Sequence, residues 1–174
     1  DIITIDANTS GHITAAGVTA LTGTAANVAT VVGTDGSAGT SNKISLDADY
    51  TVTLTGTAAA SDIITIDANT GGHITGTGIT AFTGTAANIA TVIGTEGTAG
   101  QANKIELDSD FTATVDSGTV AAADLNTISA ATGGTVTATG ASTITGTSTA
   151  VAAVVADSQI TVAADYAVTL TGSA

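Results

Sequence analysis

The side chains of this chain best suited to chemistry are its carboxylates. Asp47-Ala48-Asp49 and Asp108-Ser109-Asp110 each set two acids one residue apart, in what reads as a turn between two strands. Ca2+ takes oxygen ligands from carboxylates and backbone carbonyls, and an Asp-x-Asp turn offers both. Asp35 and Asn42 lie upstream of the first pair, and Glu96 and Asn103 upstream of the second, where they could complete a shell. The candidate Ca2+ ligands are therefore Asp47, Asp49, Asp108 and Asp110. Neither an Asp-x-Asp-x-Asp-Gly loop nor a Gly-Gly-x-Gly-x-Asp repeat is present, however, and a third related segment keeps only Asp165. The competing reading is turn chemistry, in which Asp bonds its own backbone and stays solvated.

Other reactive residues offer less. His12 and His73 are the two histidines, each preceded by Gly at equivalent positions. Stacked two coils apart at roughly 4.8 Å per strand, they would sit about 10 Å from each other, too far to share an ion. No Ser has a His and an acid arranged as a base relay, so no catalytic residue is expected and the chain reads as non-enzymatic. Asn8-Thr9-Ser10 forms a glycosylation sequon that the second copy, Asn69-Thr70-Gly71, loses. Thr51, Thr53 and Thr55 form a Thr-x-Thr-x-Thr row of the kind that could match ice. Aligning Leu21 with Leu54 puts Val18, Ala20 and Thr22 opposite that row, and Ile79, Ala81 and Thr83 likewise, which predicts an interrupted ladder.

These residues sit in a repeat, and the repeat is the main signal. Asp1-Ile2-Ile3-Thr4-Ile5-Asp6-Ala7-Asn8-Thr9 recurs as Asp62-Ile63-Ile64-Thr65-Ile66-Asp67-Ala68-Asn69-Thr70. The match continues through His12 and His73, Leu21 and Phe82, Lys43 and Lys104, and Tyr50 and Phe111. A third copy starts at Asp124, where Thr132-Gly133-Gly134 repeats Thr70-Gly71-Gly72. It lacks the segment equivalent to Gly33–Gly39 and Gly94–Gly100, then regains register at Ile160, with Tyr166 in the place of Tyr50. The units are 1–61, 62–123 and 124–174, a single array over 1–174. Within a unit, Leu21-Thr22-Gly23-Thr24-Ala25-Ala26 resembles Leu54-Thr55-Gly56-Thr57-Ala58-Ala59, which divides the chain into about six coils of roughly 28–33 residues.

Comparison of copies gives the elements. Val28, Val31 and Val32 share a helical face, as do Ile89, Val92 and Ile93, and Val151, Val154 and Val155; Thr24 suits an N-cap and Gly33 a stop. Asp62–Asp67 could alternate as a strand, but Asn126 replaces Ile64 in the third copy while Leu125 and Ile128 keep a helical spacing. A short helix is expected there. Tyr50–Thr55, Phe111–Val115 and Tyr166–Thr171 alternate as strands, with Tyr50, Val52 and Leu54 inward and the threonines outward. Ile44 and Leu46 form a shorter strand before the first of them. The fold class expected is an α/β solenoid: about six stacked coils of strand, turn, strand and short helix, with parallel β-sheets.

The composition makes stacking necessary. More than half the chain is Thr, Ala and Gly, Pro, Cys, Met and Trp are absent, and four aromatics occur. One coil alone buries too little apolar surface to offset roughly 1–2 kcal/mol of chain entropy per residue. Stacked coils bury a continuous Ile and Val strip instead. Two Lys or Arg against fifteen Asp or Glu, a net charge of −13, exclude a nucleic-acid footprint. No cysteine excludes disulfides and thiolate chemistry. The longest apolar run, Ala150–Ala156, is far too short to span a membrane. An acidic, Lys-poor, Thr-rich chain points to an extracellular setting. The chain opens mid-pattern at Asp1 and closes on an unshielded coil at Ala174. It reads as cut from a longer array, or built to continue into copies of itself through unpaired sheet edges.

Asp-Leu-x-x-Ile-x-x-x-Thr-Gly-Gly-x-Val with the following Ile-Thr-Gly-Thr, at Asp124 to Thr147, and Leu-Thr-Gly-Thr-Ala-Ala with its helical tail, at Leu21–Val32 and in near-identical form at Phe82–Ile93, resemble known repeats. They are similar to the repeat arrays of giant secreted cell-surface proteins of marine cyanobacteria, the swimming-motility type among them, and to other bacterial surface repeats. The resemblance implies an extracellular, very long repeat protein with a coating, adhesive or filament role, and carries no catalytic residue. The expected function is a structural segment of an extracellular filament or cell-surface layer whose partners are copies of itself, head-to-tail or lateral, and cell-surface glycans. A Ca2+-stabilised adhesin stalk is the alternative, and an ice-binding Thr ladder a minor one.

Overall fold

The computed structural model describes residues 1–36, 43–97, 101 and 104–172. Six helices punctuate twelve strands among these residues. The chain runs α1 (Ile2–Ala7), β1 (Ile13–Ala15), β2 (Ala20–Gly23), α2 (Ala25–Gly33), β3 (Ile44–Leu46), β4 (Thr51–Ala59) and α3 (Ala60–Asp67). It continues β5 (Ile74–Gly84), α4 (Ala86–Gly94), β6 (Ile105–Leu107), β7 (Thr112–Val115), β8 (Gly118–Ala121) and α5 (Ala122–Ala131). The last elements are β9 (Val136–Ala138), β10 (Ala141–Gly146), α6 (Ser148–Ala156), β11 (Ile160–Val162) and β12 (Ala167–Leu170).

Local chemistry explains the helices. Thr24, Thr85 and Thr147 each stand in extended backbone and accept an N–H three residues on, from Asn27, Asn88 and Ala150. Each cap satisfies one of the donors that a helix start leaves open. Replacing Thr85 by Ala is expected to cost about 1 kcal/mol, read as a lower urea midpoint with unchanged slope. Gly33 is the last residue of α2 rather than its stop, and the chain closes at Thr34. The segment Asp62–Asp67 is helical, as the third copy requires: Ile63 and Ile66 are buried in α3, and Leu125 and Ile128 in α5.

Every strand pair among the described residues is parallel. One sheet of seven strands has the path β11-β9-β7-β5-β4-β2 with β6 also on β5; β12-β10-β8 form a second sheet and β1-β3 a third. The sheets are open. Partners lie 31 residues apart at Ile13/Ile44, Leu21/Val52, Ile74/Ile105 and Phe82/Ala113. They lie 22 to 24 apart at Val52/Ile74, Ala58/Phe82, Ala113/Val136 and Val120/Ile144. In the shortened third copy Val136/Ile160 and Ile144/Val168 are 24 apart, the seven-residue deletion having taken up the difference from 31.

Two expectations are corrected here. Leu21 pairs with Val52 rather than with Leu54, which faces Gly23. The strand lines are also staggered, because the helix-to-helix segments after α2 and α4 carry three strand segments and not two. The C-terminal part of β4 and the whole of β8 are additional, and β5 is long enough for Ile74–Gly76 to pair β6 while Ala81–Gly84 pairs β7. Helices succeed one another along one flank, each packed on the next. Between helices and sheets runs one core that includes Val52, Leu54, Ile63, Ile66, Ile74, Phe82, Ile89, Phe111, Leu125, Ile128 and Ile144, all buried. Phe82 and Phe111 meet edge to face at 4.8 Å in its centre. No helix among the described residues is long and apolar enough to cross a membrane.

Candidate functional site

The most elaborate side-chain arrangement is a clasp between the turn that follows a helix and the start of a strand before that helix. After α3 the chain turns back through Asn69-Thr70-Gly71-Gly72 and meets the start of β4. Thr70 is buried, donates its hydroxyl to the Tyr50 carbonyl and accepts the Gly72 N–H at 3.0 Å. Gly71 N–H donates to Ala48 O at 2.9 Å, Val52 N–H to His73 O at 3.0 Å, and the Tyr50 phenol to Asn69 O at 3.2 Å. After α5 the same clasp recurs, with Thr132 on the Phe111 carbonyl, Gly134 N–H on Thr132 and Gly133 N–H on Ser109 O. A Cβ at Gly72 or Gly134 would collide with the Tyr50 or Phe111 carbonyl oxygen, which explains the glycine there. The Thr-Gly-Gly string was visible in the sequence as a repeat marker, but its role as a fastener was not.

A second fastener closes the third unit. The Gln159 amide donates to Thr132 O at 3.0 Å and Gly134 O at 3.2 Å. Asp157 accepts the Ser129 hydroxyl at 2.6 Å and the Gln159 N–H at 2.9 Å. These two hydrogen bonds, the Ser129 one foremost, hold the Asp157 carboxyl below its ordinary range.

The acidic turns behave as turns. Asp47 accepts the Asp49 N–H at 3.2 Å, closing the bend between β3 and β4. Asp35 accepts N–H groups from Gly36 at 2.9 Å and Leu46 at 3.2 Å. Asp108 and Asp110 occupy the matching bend between β6 and β7. Among the described residues no three His, Cys, Asp or Glu side chains converge on a point where an ion could sit. Asn42 and Asn103, the proposed completing ligands, lie outside the described residues.

The histidines do not share a strand line. His12 precedes β1, whose line contains only β3, and His73 precedes β5, which lies between β4 and β6, so the 10 Å stacking expected for them has no column to set it. His73 is buried, with Nδ1 2.8 Å from Gln101 O and Nε2 3.5 Å from a Glu106 carboxylate oxygen. Tyr50 is buried as well, and desolvation, with the Asp35 charge adding to it, pushes its phenol up to about 12. Native Tyr50 therefore keeps its proton where the unfolded phenol, at 10.0, has lost it. Its contribution to stability is whole below pH 10 and is lost as pH rises through about 12. In a Tyr166→Phe background the 295 nm ionisation step is expected near pH 12. Tyr50→Phe should flatten the fall in melting temperature across that window.

The outward face carries threonine columns. Thr22, Thr53 and Thr75 are register partners in succession, and so are Thr83, Thr114 and Thr137, with Thr161 beyond. Thr145 and Thr169 pair likewise. The true register is two residues from the Leu21/Leu54 alignment, yet the interruption expected remains on either side of the Thr53 column, with Ala20 opposite Thr51 and Gly78 opposite Thr55. Comparison with protein-family models, with curated proteins and with solved structures found no match.

Proposed function

We propose that this chain is a non-enzymatic segment of a parallel α/β solenoid, serving as a structural element of an extracellular filament or cell-surface layer. The observation that carries the reading is the register. Successive units repeat the same parallel pairing, Leu21 with Val52 and Phe82 with Ala113, and helices follow in order along one flank. Such an arrangement grows by adding units without changing its cross-section. The residues that are most constrained, Thr70, Gly72, Thr132 and Gly134, fasten one coil to the next. A charge of −13 with two lysines keeps neighbouring filaments apart at low salt, and divalent cations would bridge them.

The test is length. Genes encoding two and four copies in tandem should give rods of constant width in electron micrographs, longer by about 29 Å per copy at roughly 4.8 Å per coil. Particles that widen in all directions would overturn the reading. Antibody labelling of intact source cells tests the surface location.

A second reading is favoured by the threonine columns. Hydroxyl and methyl groups repeating at the strand spacing present an ordered lattice to water, as an ice-binding face requires. Inhibition of ice recrystallisation by the chain, lost on Thr114→Lys with Thr137→Lys, would support it; no effect of the parent chain on ice growth would remove it.

A further inference from the structure

Four large apolar side chains are exposed among the described residues, and all lie on elements at the two ends of the array: Ile5 at 53%, Val155 at 61%, Val168 at 46% and Leu170 at 56%. Each has a counterpart in another unit that is buried, respectively Ile66 at 0%, Val32 at 2%, Val52 at 1% and Leu54 at 0%. What lies against the counterparts is known. β4 carries β5 on its far side, with Val52 opposite Ile74 and Thr53 opposite Thr75, and α2 carries α3. One unit earlier, Ile74 and Thr75 correspond to Ile13 and Thr14, and α3 to α1. The element that would cover β12 is therefore a β1, and the element that would cover α6 is an α1.

We propose that the two end faces are complementary and that a second copy of this chain docks its N-terminal face on the C-terminal face of the first. Val168 then pairs with Ile13 of the second copy, and Thr169 with Thr14. This deepens the structural reading above and rests on it.

The hydrogen-bonding groups at the two ends are halves of one clasp. Thr9 already accepts the Gly11 N–H at 3.0 Å, as Thr70 accepts that of Gly72, yet Thr9 is exposed and Thr70 buried. Thr70 spends its proton on the Tyr50 carbonyl, and the residue in the place of Tyr50 at the other end is Tyr166, itself half-buried. In the docked register the Thr9 hydroxyl donates to Tyr166 O, the Tyr166 phenol to Asn8 O, and Val168 N–H to His12 O. Each bond copies one made by Thr70, Tyr50 and Val52. Gly11 keeps the close approach that Gly72 provides. Ser10 replaces Gly71, and its Cβ would meet the carboxylate of Asp165, an end free to swing aside. The path is also preserved: Gly172 has φ +81°, matching +80° at Gly56 beyond β4. On the N-terminal face a groove of about 280 Å³, lined by Ile2, Val18, Leu21 and Val28 among others, borders β2. In the second unit the equivalent edge, Ala81–Thr83 of β5, is paired by Thr57–Ala59 of β4.

Sedimentation of the whole 174-residue chain tests the docking, with melting curves confirming that each variant folds. The chain should form a concentration-dependent head-to-tail series, stronger at 0.5 M than at about 0.01 M NaCl as repulsion between acidic copies is screened. Ile5→Asp and Val168→Asp each spoil one exposed face and should each be monomeric. Mixed together they should give dimers and nothing larger, since one intact face remains on each. Thr14→Cys with Thr169→Cys, in a chain without other cysteines, should oxidise to a ladder of oligomers, because register partners fall within disulfide reach. A monomeric parent chain at about 1 mM, or a mixture of the two variants that stays monomeric, overturns the proposal. Variants that still associate singly overturn it too, by placing the contact elsewhere. If separate chains stay apart while tandem copies form rods, the docking falls and the structural reading stands. If tandem copies form no rods, the structural reading itself has failed.

Discussion

Gly134→Ala is expected to destabilise the chain by about 3 kcal/mol, while Gly133→Ala next to it changes stability by less than about 0.5 kcal/mol. The two glycines share a turn and differ in what their missing side chains would meet. A Cβ on Gly134 collides with the carbonyl oxygen of Phe111 and comes within 2.8 Å of its carbon and 2.9 Å of Asp110 O. All three are backbone atoms, so no rotamer change relieves the contact. The chain would have to lift β9 away from β7, giving up the Ala113 N–H bond to Thr135 O at 2.9 Å and straining the Thr132 bridge. A Cβ on Gly133 meets only Ser109 O at 3.6 Å, an ordinary contact. For a chain of this length the Gly134 variant should melt roughly 6–12 °C lower. Equal losses in the two variants would show that the clasp does not hold the coils at the close approach described.

That contrast marks the boundary of what could be read from the sequence. The helices were legible because Val28, Val31 and Val32 repeat a spacing that only a helix makes into one face, and because Thr24 stands where a cap belongs; the structure adds Thr85 and Thr147 as the matching caps. Comparison of copies also decided Asp62–Asp67 correctly, since Asn126 would be intolerable on a buried strand face but sits half-buried on α5. Inward Tyr50, Val52 and Leu54 followed from alternation. Register did not. Pairing Leu21 with Leu54 or with Val52 differs by two residues, and a two-residue slip leaves every inward side chain inward. Alternation cannot tell the two apart, and the Thr70 bond to the Tyr50 carbonyl fixes only the neighbouring register, that of β5 on β4. The additional strand β8 was hidden for a related reason, since Gly118-Thr119-Val120-Ala121 has too few apolar residues to announce itself. The acidic pairs were legible as turns, and Asp47 bonding the Asp49 N–H is the alternative the sequence already offered.

Phe82→Ala should be the most damaging truncation in the core, at about 3–5 kcal/mol. Phe82 is wholly buried on β5, paired with Ala58 on one side and Ala113 on the other, and its ring stands edge to face against Phe111 at 4.8 Å. Both strand neighbours are alanines, so neither can swell into the space that the ring leaves, and a cavity persists. The edge-to-face contact adds roughly 0.5–1.5 kcal/mol beyond area burial and is lost as well. The repeat supplies its own control. The first unit has Leu21 at this position and the third has Ile144, both buried within the same frame. Phe82→Leu should therefore cost clearly less, about 1–1.5 kcal/mol, because a branched aliphatic fills most of the volume in a site whose backbone accepts it elsewhere. Urea unfolding followed by far-UV circular dichroism separates the cases. One cooperative transition at a lower midpoint means that the units share one core. A second transition in Phe82→Ala, with the third unit melting apart from the first two, would mean that the core is divided at β5 and that units add stability independently.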